Sequence, residues 1–298
     1  MKVKECKNRL KIVRKMVKVL VLSDLHLEYH ESAASLWATL LRKLPYFLRE
    51  PDADEVMCLC GDIGYPLKAS EAGFAEMKED DEYEEEEVLQ GEPEPKLVEL
   101  LRMFTARWPG RTLLVAGNHE YYCGQPGRPR LVLNMLRHIC EETGVTLLDR
   151  STVELDGVTF LGCTLWSKIT AQDYGRMHDR IAVFTGHEQY LAAHAEDRMW
   201  LRDTLRVLRS KQRVVVLTHH APSFQVLHPR FQGGCQTGFA SNLEALLDPA
   251  CVALWACGHS HESVDMSING VRVVLSPLGY PDEDDRVTEP LDLVVQID

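Results

Sequence analysis

Residues 16–26 read MVKVLVLSDLH, a run of branched apolar residues that stops abruptly in the polar cluster Ser23-Asp24-Leu25-His26. Such a run reads as a buried strand that delivers its last residues to a loop. Four later stretches repeat the construction: EVMCLCGD (55–62), TLLVAGNHE (112–120), RVVVLTHH (213–220) and VALWACGHSH (252–261). Helix-like segments lie between or beyond them, at 32–48, 95–108, 130–143, 187–209 and 242–247. Strand and helix alternate through most of the chain, which makes the class α/β. Shorter strand candidates follow at 145–148, 153–155, 158–163, 264–268, 271–275 and 291–297. Asn269 and Gly270, between two of these, are a hairpin signal. No internal repeat is present.

With 298 residues, 45% of them hydrophobic, the chain has enough apolar side chains to bury a full core. Its net charge of -12 is concentrated in one place. Residues 71–95 hold twelve Asp or Glu against one Lys, whereas residues 1–18 hold eight Lys or Arg against one Glu. The expected organisation is a basic N-terminal extension over 1–16 and a folded domain over 17–298, with a solvated acidic insertion at about 68–95. No apolar run approaches the roughly 20 residues that span a bilayer, and the leader lacks the apolar stretch of a signal peptide. A cytoplasmic location, away from membranes, is expected. The nine cysteines are odd in number and scattered, so they read as reduced thiols. An acidic body is poorly suited to tight, non-specific binding of nucleic acid. Oligomeric state is left open.

Five strand ends finish in Asp, His or Asn, and in α/β sheets ligands bind at such carboxyl ends. The carboxylate, imidazole and carboxamide set, without a terminal thiolate, suits Mn, Fe or Zn; Mg alone would want more oxygen. Each element is weak taken singly, but DLH (Asp24, His26), GD (Asp62), GNHE (117–120), HHAP (219–222) and GHSH (258–261) occur together and in order.

In these blocks the sequence, from about residue 17 to 281, resembles the calcineurin-like metallophosphoesterase superfamily. The resemblance implies a two-sheet sandwich flanked by helices on both faces, a four-layer αββα arrangement with mixed sheets. By position it puts Asp24, His26 and His261 on one divalent metal ion, and Asn118, His219 and His259 on a second, with Asp62 bridging. It favours His219 over the adjacent His220 as ligand. Two cations need a shared anionic ligand to offset their repulsion, and Asp62 supplies it. Water activated by the pair would attack phosphorus, and His119, beside Asn118, is the candidate general acid. Glu120 either orients His119 or is an ordinary loop carboxylate. GCTLW (162–166), SNLE (241–244) and SPLGYP (276–281) look like a branch of small intracellular members.

The extended GDxVDRG block of the serine/threonine protein phosphatases is replaced by GDIGYP (61–66), which argues against a protein phosphatase. Leu278 stands where the suggested branch often has Arg, so a phosphate-binding cation is either missing or replaced by Arg176, Arg180 or Arg230, which read equally well as surface residues. His30, His178, His187 and His194 are expected away from the ligand set, and Cys58, Cys60 and Cys257 as packing residues. The expected activity is metal-dependent hydrolysis of a small phosphomonoester or phosphodiester. A cyclic-nucleotide phosphodiesterase, a nuclease, or a non-catalytic metal-binding interaction protein are the alternatives.

Overall fold

The computed structural model describes residues 15–68, 91–123, 126–209, 213–231, 234–283 and 290–298. Nearly all of the basic extension and most of the acidic insertion lie outside the described residues. Sheet I contains β1 (Val17–Leu22), β2 (Glu55–Cys60), β3 (Thr112–Val115) and β4 (Thr146–Leu147), all parallel, with the last strand, β11 (Val295–Ile297), antiparallel on the β1 edge. Sheet II contains β5 (Ser151–Leu155), β6 (Val158–Cys163), β7 (Val214–Thr218), β8 (Val252–Cys257), β9 (Val264–Ile268) and β10 (Val271–Leu275). Its order is β5-β6-β7-β8-β10-β9, with β6, β7, β8 and β10 parallel and the two edge strands antiparallel.

The period-2 alternation of strand side chains sorts the apolar residues into layers. Val17, Val19 and Val21 join Cys58, Leu113, Phe160, Val215 and Leu217 between the sheets, while Leu20, Leu22, Met57 and Leu59 face the helices of sheet I. Those helices are α1 (Ala33–Lys43), α2 (Pro95–Arg107) and α3 (Pro129–Thr143), which contribute Leu36, Leu40, Leu97, Phe104, Val132 and Met135 to that core. On the far side of sheet II, Leu201 and Leu205 of the long helix pack against Val214 and Val216. With α4 (Ala171–Tyr174), α5 (Asp179–Ala182), α6 (His187–Leu208) and α7 (Gln236–Phe239), the protein is an αββα sandwich with two mixed sheets, as expected.

Three segments differ from expectation. The helix expected over 32–48 stops at Lys43, because Pro45 disfavours helical backbone at Leu44 (φ -123, ψ 94), and the chain continues as a 3-10 turn, Pro45–Leu48. The helix expected over 242–247 is one 3-10 turn, Glu244–Leu246, and the strand expected over 291–297 is only Val295–Ile297. The Asn269-Gly270 hairpin forms as expected, both residues taking positive φ (52 and 83), and Ile268 pairs with Val271.

Candidate metal centre

The polar clusters after β1, β2, β3, β7 and β8 meet at one edge of the sandwich, and their backbone is strained there. Asp24, His26, Asp62, His259 and His261 all have positive φ, between 47 and 72. Non-glycine residues seldom adopt this region, at a cost of roughly 1–2 kcal/mol each, so five together mark a place where geometry is over-determined. Gly61 explains the close approach of the loops: at φ 85, a Cβ on it would lie 2.5 Å from His219 Nδ1. The loops are tied by backbone bonds from Asp24 N to Gly61 O (2.9 Å) and from His26 N to Asp62 O (2.9 Å). The carboxylates are aimed by main-chain donors too: His119 N donates to Asp62 Oδ1 (2.8 Å), and His259 N to Asp24 Oδ1 (3.0 Å).

The hydrogen-bond partners settle which atoms face inward. His26 Nδ1 donates to Glu28 (3.0 Å) and His261 Nδ1 to Glu283 (2.6 Å), which leaves two Nε2 lone pairs facing each other at 2.9 Å. Asp24 Oδ1 lies 3.6 Å from His261 Nε2. His219 Nδ1 donates to the Cys60 carbonyl (2.9 Å), so its Nε2 faces Asn118 Oδ1 (2.9 Å), His259 Nδ1 (3.1 Å) and Asp62 Oδ2 (3.3 Å). The Asn118 carboxamide is oriented by Asp179, which accepts from its Nδ2 (3.1 Å) and from the Tyr122 hydroxyl (2.7 Å). Asp24, His26 and His261 therefore line one niche with acceptor atoms, and Asp62, Asn118 and His219 line the other, which His259 Nδ1 joins while its Nε2 is buried without a partner among the described residues. Buried acceptors crowded without a donor repel one another unless a cation lies among them, and this donor set fits divalent transition metals. Burial opposes the charged ring of His219, yet Asp62 and Asp24 push its pKa up to about 10, so without a metal a proton on Nε2 takes the place of the cation that the niche draws. Three groups bring their ligand atoms within 4.8 Å of one another: Asp24, His26 and His261; Asp62, His219 and His259; and His26, Asp62 and His119.

All seven candidate ligands thus come together with His119. His220 offers no atom to these groups: its buried ring packs against that of His259, with centroids 4.2 Å apart, and its Nε2 lies 3.4 Å from the Tyr190 hydroxyl. His119 Nδ1 donates to Glu28 (3.0 Å), and its Nε2 lies 3.2 Å from the Tyr280 hydroxyl in the cavity. Burial lowers the His119 pKa, but the Asp62 and Glu28 carboxylates outweigh it and raise it above the ordinary histidine value. Glu120 fills neither of its expected roles. It is a buried brace that accepts backbone N–H bonds from Gly117 (2.6 Å), Asp62 (2.9 Å), Ile63 (2.6 Å) and Gly64 (3.2 Å). Burial, first, and the neighbouring Asp62 push its pKa up to about 7.

The cavity over the site has a volume of about 510 Å³, and Arg176 and Arg230 line it while Arg180 does not. His178, expected away from the ligands, is exposed at its mouth; His187 and His194 bond the carbonyls of Ile169 and Leu165 instead. Cys58, Cys60 and Cys257 are wholly buried. Sequence reasoning missed Glu28, Asp179 and Glu283. Of these only Glu28, an acid two places after a candidate ligand, left a local signal.

A two-sheet αββα sandwich with Asp, His and Asn gathered at its strand ends defines a metal-dependent phosphoesterase. Residues 17–263 match the profile of the calcineurin-like phosphoesterases, and the chain belongs to that family. It is 25% identical over 283 residues to an uncharacterized protein of Acanthamoeba polyphaga mimivirus, covering 88% of this chain and 90% of that one. Its fold is similar to that of the phosphopantetheinyl hydrolase of Mycobacterium tuberculosis, with a TM-score of 0.64 and 16% identity over 96% and 97% of the two chains. No described helix is long and apolar enough to cross a membrane.

Proposed function

We propose that this protein hydrolyses a phosphoester bond in a small phosphorylated substrate, using two divalent metals of the Mn, Fe or Zn type. Asp24, His26 and His261 would hold one, Asn118, His219 and His259 the other, and Asp62 would be shared. The observation that carries this reading is the pair of niches lined by inward-facing acceptors, with the outer nitrogens of His26, His219 and His261 and the Asn118 amide already engaged. Bound metals supply Lewis acidity toward phosphoryl oxygens and acidify water near neutral pH.

The chain's own residues do the rest. His119, with a raised pKa and Nε2 toward the cavity, is placed to give a proton to the leaving oxygen. Arg230 is held by Glu262 (2.9 Å) and the Ser260 carbonyl (3.2 Å), whereas Arg176 lies 4.0 Å from its partner Asp173. Arg176 is thus the freer cation to meet substrate charge where Leu278 has none. A cavity of about 510 Å³ suits a small substrate.

The test is metal analysis of the purified protein together with turnover of an aryl phosphomonoester and diester. About two transition metals per chain are expected, and Asp62→Ala should lower turnover about a hundredfold or more. Full activity in that variant refutes the reading.

A further inference from the structure

We propose that Glu28 is a positioning residue: one of its carboxylate oxygens fixes the ring orientation and tautomer of His26 and His119 together. This deepens the hydrolytic reading above and rests on it for the role of His119. Glu28 Oε1 lies 3.0 Å from His26 Nδ1 and 3.0 Å from His119 Nδ1, and the two rings meet edge-on with centroids 4.5 Å apart. The side chain is 8% exposed, and its other oxygen, Oε2, is buried without a partner among the described residues. Among those residues the carboxylate is hydrogen-bonded by the two imidazoles.

The local chain explains why residue 28 reaches both rings. His26 takes left-handed backbone (φ 47), and Leu27–Tyr29 form a single 3-10 turn that folds the chain back beside its own ligand. His26 N and Leu27 N donate to the carbonyls of Asp62 and Ile63 (2.9 and 3.0 Å), so the turn is pinned to the loop after β2.

A neutral imidazole has one N–H. When Nδ1–H is held by Glu28, Nε2 carries the lone pair. For His26 that is the atom facing His261 Nε2, as a ligand requires; for His119 it is the atom facing Tyr280 and the cavity. A ring without an acceptor at Nδ1 is free to turn or to move its proton to Nε2; in His26 either change removes the ligand lone pair, and in His119 it makes Nδ1 rather than Nε2 the atom that takes up and gives the proton. One oxygen thus links the candidate first-metal ligand to the candidate proton donor.

The experiment uses the full chain loaded with zinc and labelled at histidine, with nitrogen NMR reporting the His119 tautomer on the alkaline side of its titration. Wild type should show Nδ1–H. Glu28→Gln keeps an acceptor oxygen and should retain it, while Glu28→Ala should lose it. Glu28→Asp, one methylene shorter, cannot reach both rings and should lose at least one contact; it serves if the alanine variant does not fold. Zinc affinity at the first site should fall about tenfold in Glu28→Ala and be largely restored in Glu28→Gln. In kinetics, Glu28→Ala should lower kcat about tenfold more for alkyl than for aryl phosphates, with KM little changed. Retention of Nδ1–H and of zinc affinity in both Glu28→Ala and Glu28→Asp overturns the proposal, as does failure of Glu28→Gln to rescue either property. His119→Ala separates the two readings: equal losses for alkyl and aryl substrates refute proton donation, while tautomer and zinc affinity still judge Glu28.

Discussion

Four backbone N–H groups converge on the buried carboxylate of Glu120, and they come from two loops, those after β2 and β3. Removing the acceptor leaves these donors unpaired in a dry interior, each costing on the order of 1 kcal/mol or more. Glu120→Ala is expected to destabilise the metal-free protein by about 3–4 kcal/mol in urea unfolding. A loss below about 1 kcal/mol would mean that water replaces the carboxylate. The seven candidate ligands were legible in the sequence because each ends an apolar run, where a polar residue has no packing reason to be. The residues that orient them were not. Asp179 lies 61 positions from Asn118, and Glu283 lies 22 from His261, so only folding brings each pair together. Glu120 was visible, but the sequence leaves its role open between orienting His119 and an ordinary loop carboxylate, whereas it serves backbone donors that the fold brings from two loops.

At the scale of elements, α6 acts as a clamp on the loop after β6. Leu165 and Trp166 have positive φ (72 and 45), and α6 holds this strained backbone from its buried face. Asp197 Oδ2 accepts from Leu165 N (2.8 Å), and His194 Nδ1 donates to Leu165 O (2.9 Å). The neighbouring Thr164 carbonyl in turn accepts from His219 N and His220 N (3.2 Å each), so the clamp supports the end of β7. Asp197 is 3% exposed, and burial pushes its pKa up to about 7 despite the Arg150 guanidinium at 3.0 Å. A folded-state pKa above the unfolded value of about 4 means that the folded state binds the extra proton in that window. Stability from this group is full below about pH 4 and is lost as pH rises through about 7. The stability advantage of wild type over Asp197→Asn should therefore shrink by about 2 kcal/mol between pH 5.5 and 8 in denaturant titrations. A constant difference would show that Arg150 keeps the carboxylate ionised throughout. Most elements were readable from apolar spacing, since buried strands and amphipathic helices differ in period. Their order was not: that β11 pairs with β1 and β10 with β8 depends on contacts far apart in sequence.

Considered whole, the molecule divides the candidate ligands between its two sheets. Loops of sheet I carry Asp24, His26, Asp62 and Asn118, and loops of sheet II carry His219, His259 and His261. Between the sheets the contacts are almost wholly apolar, with valine, leucine and cysteine side chains facing one another. At the ligand edge this packing gives way to facing acceptors, which makes it the least favourable part of the inter-sheet seam when metal is removed. Metals bound there would join the sheets, and a ligand that binds only the folded state adds RT ln(1 + [L]/Kd), about 2.7 kcal/mol per site at a hundred times Kd. Chelation should therefore lower the melting temperature, and titration with Mn or Zn should restore it with a logarithmic dependence on free metal. Asp62→Ala should weaken that dependence at both sites, because Asp62 is the shared ligand. Hydrogen exchange adds location: metal should slow exchange at the ends of β1, β2, β7 and β8 together. Protection confined to one sheet would show that the two halves of the ligand set do not act as a single centre, and an unchanged melting temperature would remove the stabilising role altogether.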